Sequence, residues 1–166
     1  MNLVAGWNGV LGAPGGSGVQ ATGGPFNMAA IFAAPASYGN NGGSLFVGNG
    51  AAVGSRFGGT NVAAWDANVG SSDDFAQIGY FRPFLSFGNA AESITGNIRV
   101  DARNGVNIFG DGHSQIGHTL NGLVLAPGDV NLDLLIGGNI TVNAQNVLLA
   151  PSSGSGIAQI GHALEL

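Results

Sequence analysis

Residues 138–162 read Gly-Asn-Ile-Thr-Val-Asn-Ala-Gln-Asn-Val-Leu-Leu-Ala-Pro-Ser-Ser-Gly-Ser-Gly-Ile-Ala-Gln-Ile-Gly-His, and nearly the same text stands at 96–118. There it runs Gly-Asn-Ile-Arg-Val-Asp-Ala-Arg-Asn-Gly-Val-Asn-Ile-Phe-Gly-Asp-Gly-His-Ser-Gln-Ile-Gly-His. A looser copy opens Gly-Ser-Leu-Phe-Val at Gly43 and closes Ala-Gln-Ile-Gly-Tyr at Tyr80. The two clean copies begin 42 residues apart, and the closing glutamines Gln77, Gln115 and Gln159 are separated by 38 and 44 residues. A constant motif at a variable interval is the mark of a repeat whose core is fixed and whose loops differ in length.

Each copy holds short strand-like runs between turn residues. In Gly-Asn-Ile-x-Val, alternation places Ile98 and Val100, and likewise Ile140 and Val142, on one face, with Asn97 and Asn139 just before them. In the closing motif Ile78, Ile116 and Ile160 point inward, while Gln77, Gln115 and Gln159 point outward and stack as an amide ladder. His118 and His162 match each other, and Tyr80 takes their place in the looser copy. A ligand position does not exchange His for Tyr freely in zinc chemistry. The histidines therefore read as stacked rings at a solvent edge.

Two geometries suit such a repeat. Five Asn-Gly pairs, beginning at Asn8, Asn41, Asn49, Asn104 and Asn121, are hairpin signals that favour an antiparallel sandwich. Against them, the corner text is copied along with the strands. Stacked parallel coils require this and hairpins do not. The expected fold is all-β, a parallel β-helix or β-solenoid, as a single segment over 1–166 with units at about 38–80, 96–118 and 138–162. A loop and short helix are inserted at 12–37, the helix over 26–34 with Asn27 as N-cap and Pro35 ending it. The glycine-rich stretch 12–24 reads as an excursion from the core, and 81–93 as an irregular aromatic connection. Coils of about 20 residues would number roughly seven or eight, a rod of about 35–40 Å at ~4.8 Å per coil.

Composition narrows the task. The 166 residues include 31 glycines, yet 45% are hydrophobic and only 8% charged, which is not the composition of a disordered chain. The net charge is -5 with four scattered arginines and no lysine, so there is no basic patch to neutralise phosphates and nucleic-acid binding is not expected. Cysteine is absent, which removes disulfides and thiolate metal sites. No apolar run is long enough for a membrane span, the longest, 28–34, ending at Pro35.

Chemistry-bearing clusters are thin. Asp111-Gly112-His113-Ser114 has the residue types of a hydrolase triad, but neighbours in sequence do not build that geometry. His113, His118 and Asp111 match no strong metal spacing, Phe109-Gly110-Asp111-Gly112 gives one calcium-like turn without a series, and Asp73-Asp74 reads as a solvated corner. No catalytic, cofactor or metal residues are assigned, and no cofactor is expected. The residues singled out are those of the structural repeat.

Gly-Asn-Ile-Thr-Val-Asn-Ala with Ala-Gln-Ile-Gly-His resembles the repeats of filamentous-haemagglutinin-type exoproteins, including autotransporter-like adhesins. The opening Leu-Val-Ala-Gly-Trp-Asn-Gly and the stretch from Val53 to Trp65 are similar to text between such repeats. The resemblance implies a right-handed parallel β-helix, secreted or at the bacterial cell surface, serving adhesion, biofilm matrix or a stalk without catalysis in the repeat. It transfers no functional residues and names no host or matrix ligand. The chain is shorter than such proteins and reads as a fragment or a processed subunit. A head-to-tail self-assembling fibre subunit is the alternative expectation, with end-to-end self-association, and a carbohydrate-active β-helix enzyme the least favoured. Recognition is expected in the non-repeating 12–24 and 81–93.

Overall fold

The computed structural model describes residues 1–7, 19–22, 28–39, 42–83, 92–121, 134–152, 154 and 156–165. In chain order these form β1 (Asn2–Ala5), β2 (Val19–Thr22), α1 (Met28–Ala33), a 3-10 turn (Pro35–Ser37), β3 (Leu45–Val47) and β4 (Ala51–Val53). Then follow β5 (Thr60–Ser71), β6 (Phe75–Ile78), β7 (Phe81–Pro83), β8 (Glu92–Ile94), β9 (Ile98–Gly110), β10 (His113–Ile116), β11 (Thr119–Asn121) and β12 (Leu134–Ile136). The last are β13 (Ile140–Asn143), β14 (Asn146–Pro151), β15 (Ile157–Ile160) and β16 (Ala163–Glu165). The protein is mostly β, with one short helix.

Nearly all pairing is parallel and in register. Thr60 pairs with Ile98 and Ile98 with Ile140; Gln77 pairs with Gln115 and Gln115 with Gln159. Four successive rows of strands result: β1, β3 and β4; β5 to β8; β9 to β12; β13 to β16. They pair into sheets ordered β13-β9-β5-β1-β2, β15-β10-β6-β4, β16-β11-β7 and β12-β8. Each repeat supplies one strand to each ladder at an offset of 38–44 residues, not one every 20, and the described chain makes four rows rather than seven or eight. The Asn-Gly hairpin expectation fails where it is described. Asn49-Gly50 turns the chain between β3 and β4, which belong to different sheets, and Asn104-Gly105 lies within β9. Asn8, Asn41 and Gly122 lie outside the described residues.

Inward positions form apolar columns through the rows: Leu45, Ala67, Val106 and Val147; Val47, Val69, Ile108 and Leu149; Ile78, Ile116 and Ile160. Those of the second and third rows are fully buried, each β-branched or leucine side chain contributing about 1.5–3 kcal/mol. The long strands bend at one place. The β5–β9 register shifts between Ala64 and Asp66, and the fourth row breaks there into β13 and β14. The first row is cut at this same corner, because β1 pairs with Asn61–Ala63 and β3 with Ala67–Val69. The chain between β1 and β3 is thus an insertion at a corner, where extra length leaves both flanking ladders intact.

The described parts of that insertion form a strand and a helix. Val19–Thr22, read as part of a featureless loop, pairs antiparallel with β1 and covers its outer edge. Helix α1 turns Met28, Ile31 and Phe32 toward the outward side chains of Val4 and Ala63, with Tyr38 completing the cluster. It therefore packs on a lateral face of the long sheet. Phe26 and Asn27, the expected start of the helix with Asn27 as its N-cap, lie outside the described residues. The connection expected to be irregular at 81–93 contributes two strands, β7 and β8, each paired in parallel. No helix among the described residues is long and apolar enough to cross a membrane.

Candidate functional site: the stacked glutamine and histidine columns

Ile98 and Val100 are buried on the inward face, and Ile140 and Val142, one row on, are half-buried beside them. Before them, the Asn97 side-chain oxygen accepts the Asn139 backbone N–H at 2.8 Å, so this asparagine column staples successive rows at their entry. Outward asparagines repeat the device. Asn61 donates to Asn2 (2.8 Å), Asn107 to Asn68 (2.9 Å) and Asn143 to Asp101 (2.8 Å).

The glutamines do stack, but not in solvent. Gln77 and Gln115 are fully buried, on the side of their sheet away from the apolar core. Alternation located their face and missed their burial, since the chain returns over that face through Thr119. The amides form a directed ladder: Gln115 Nε2 donates to Gln77 Oε1 at 2.9 Å, and Gln159 Nε2 to Gln115 Oε1 at 2.5 Å. The Thr119 hydroxyl braces it, donating to Gln77 Oε1 at 2.9 Å while accepting from Gln115 Nε2. His113 Nε2 lies 3.1 Å from Gln115 Oε1. In the first row Ala52 occupies the glutamine position, and the Gln77 Nε2 atom is buried with no partner among the described residues.

The histidine column corrects a second expectation. His118 and His162 stack with ring centroids 5.0 Å apart and planes 2° from parallel, yet His118 is fully buried rather than at a solvent edge. His118 Nδ1 accepts the Tyr80 N–H (2.9 Å), and its Nε2–H donates to the Gly96 carbonyl (2.6 Å). One row on, His162 Nδ1 accepts the His118 N–H (3.1 Å) and Nε2 faces the Gly138 carbonyl (3.1 Å). Each ring thus pins the preceding row's corner to its own row. Both nitrogens of His118 are spent on backbone groups, which fixes the neutral tautomer. Burial pushes its pKa down; the bond to Gly96 works the other way, and His162 adds a smaller push down.

The remaining polar clusters do not converge. Among the described residues no group of three or more His, Asp or Glu side chains could hold a metal ion. Asp111 is exposed, and His113 is engaged by the glutamines. Two surface grooves were not legible beforehand. One, about 380 Å³, lies between Phe32, Tyr38 and the outer side of Asp101 and Asn143. Arg99 closes over Phe32 there, 3.9 Å from the ring centroid, while forming a two-pronged pair with Asp101 (2.8 and 3.0 Å). The other, about 460 Å³, runs between the exposed rings of Phe46 and Phe109, with Asn49, Asp111 and Ser152 at its edge. Outward phenylalanines on strands that otherwise alternate were the available signal. Of the stretches expected to recognise partners, 12–18, 23–24 and 84–91 lie outside the described residues.

Comparison with known proteins finds no match: no family model, no curated protein and no solved structure corresponds to this chain.

Proposed function

We propose that this chain is a structural segment of a secreted or cell-surface bacterial adhesin, built as a right-handed parallel β-helix that serves adhesion, biofilm matrix or a stalk. The observation that carries the reading is the in-register parallel pairing of equivalent residues at 38–44-residue offsets. Side chains that resembled site residues are consumed in holding rows together: both nitrogens of His118, and the amides of Gln115. The adhesin assignment rests on the likeness of Gly-Asn-Ile-x-Val and Gln-Ile-Gly-His to filamentous-haemagglutinin-type repeats. In this reading the four rows stack to about 19 Å at ~4.8 Å each. They give a stiff scaffold whose outward features, such as the Phe46–Phe109 groove, are free to make contacts.

Immunogold labelling of the producing cells with antibody against this chain tests the location, and competition of surface adherence by the purified chain tests the role. Labelling at the surface or in the medium, with reduced adherence, is expected. Label confined to the cytoplasm overturns the reading. The head-to-tail fibre is less well supported, because β2 already occupies the outer edge of β1.

A further inference from the structure

The two ends of the row stack differ. At the first row the inward residues Leu3, Ala5, Leu45 and Val47 are buried, and β2 covers the edge of β1. At the fourth row Val147 and Leu149, in the columns of Leu45 and Val47, are 50% and 45% exposed, Ile160 is 38% exposed, and Val142, in the column of Leu3, is half-buried. Aligned apolar side chains beside an unpaired strand edge are a seat for another strand.

Three columns state what kind of strand. The first is glycine. A Cβ added at Gly54 would fall on the backbone of Gly79, one at Gly79 on the carbonyl of Gly117, and one at Gly117 on the carbonyl of Gly161. At Gly161 the same direction meets none of the described residues within 4 Å. The second is the histidine column: the N–H of Tyr80 and that of His118 each enter the ring of the following row, and the N–H of His162 has no such ring above it among the described residues. The third is the amide ladder, in which Gln77 Oε1 and Gln115 Oε1 each accept from the next glutamine, leaving Gln159 Oε1 as the terminal acceptor. A carbonyl above Gly161, an imidazole above His162 and an amide above Gln159 are the contents of one Gln-Ile-Gly-His motif entering in parallel.

We propose that the open face of β13, β14 and β15 seats one further unit of this same repeat, paired in parallel. This deepens the β-helix reading and rests on it. The head of a second copy is a poor occupant, since its β1 edge is covered and its first row carries Ala52 and Ser55 where Gln and His are needed.

The test extends the chain beyond Glu165 with a second copy of residues 122–165 and measures amide hydrogen exchange. Exchange in β13–β15 is expected to slow about tenfold or more, with binding of an apolar dye reduced. Gly161→Ala strains the positive φ of that residue (158°) in either chain, so the test reads the increment: the variant should cost the extended chain, where its Cβ also displaces a carbonyl, at least about tenfold more protection in β15 than it costs the unextended chain. Gly117→Ala in the unextended chain is the control for the underlying reading, because its Cβ already meets the Gly161 carbonyl. If Gly117→Ala is harmless, the row stacking itself is wrong. If it disrupts β15 while the appended unit exchanges like unstructured peptide, only the present proposal falls. A dimer of the unextended chain that protects β13–β15 equally well would also overturn it, in favour of a second copy.

Discussion

Replacing His118 with leucine removes two hydrogen bonds from the interior without opening a large void, since the side chains are of comparable volume. The Tyr80 N–H loses its acceptor at 2.9 Å and the Gly96 carbonyl its donor at 2.6 Å. The ring is fully buried, so leucine leaves neither group a substitute in its place. An orphaned buried polar group costs about 1–3 kcal/mol, so the pair amounts to about 2–6 kcal/mol, a large part of the 5–15 kcal/mol typical of a domain. His162→Leu removes the same chemistry from the open row: water can take over the Gly138 carbonyl beside the half-buried ring, while the part-buried His118 N–H loses its acceptor at 3.1 Å. With one orphaned group in place of two, its cost should be about half that of His118→Leu, about 1–3 kcal/mol. Urea unfolding followed by the fluorescence of Trp7 and Trp65 compares the two variants, with the slope against urea checked for loss of cooperativity between rows. Equal losses for the two histidines, or a loss below about 1 kcal/mol for His118→Leu, would refute the claim that burial of these bonds holds the second and third rows together.

The same residue sets a pH dependence. Burial lowers the folded-state pKa of His118, so the unfolded chain binds the proton first; stability is whole above the ordinary imidazole value of about 6.5 and is lost as pH falls from there toward the depressed value. Urea midpoints between pH 8 and 5 should show this slope in the native chain and a weaker one in His118→Leu. Arg99→Ala should uncover Phe32 and leave the buried Asp101 carboxylate with the Asn143 amide bond but no cation, destabilising the chain by about 1–3 kcal/mol and speeding amide exchange in α1. Adding Asp101→Asn to that variant should recover part of the loss, and no recovery would mean the charge is not what Arg99 answers.

Sequence made the ladders legible where two copies keep the same residue types. Ile98 lies against Ile140, Val100 against Val142 and Gln115 against Gln159, as the copied text aligns them. It failed where a row conserves geometry without conserving residues. Thr60 pairs with Ile98, and Thr and Ile share β-branching but not polarity, so this partner was invisible to pattern matching. Gly-Ser-Leu-Phe-Val, by contrast, looks like the start of a copy, yet Leu45–Val47 belong to the first row and Gln77 to the second. Burial of the glutamines and of His118 was not readable for a different reason. Alternation gives a face, but whether that face meets water depends on how the chain turns at the Gly-His corner, and that turn, which brings Thr119 of β11 back against the glutamines, is not set by a period-2 pattern.

The polar columns also have a direction that composition alone does not carry. At the first row the column positions hold Ala52 and Ser55, which offer neither an amide nor a ring, and the buried Gln77 Nε2 points back toward that row without a partner among the described residues. Every later bond in the ladder runs from an amide in one row to the oxygen of the row before. A stack that ended symmetrically would terminate both ends with groups that ask for nothing. Here β2 covers the β1 part of the first row and small side chains stand at the column positions, at the expense of one orphan donor, whereas the fourth row keeps the full Gln-Ile-Gly-His motif beside exposed Val147, Leu149 and Ile160. Identical residues are therefore satisfied in the third row and half-satisfied in the fourth, and the difference between the two rows is a measure of what a neighbour supplies.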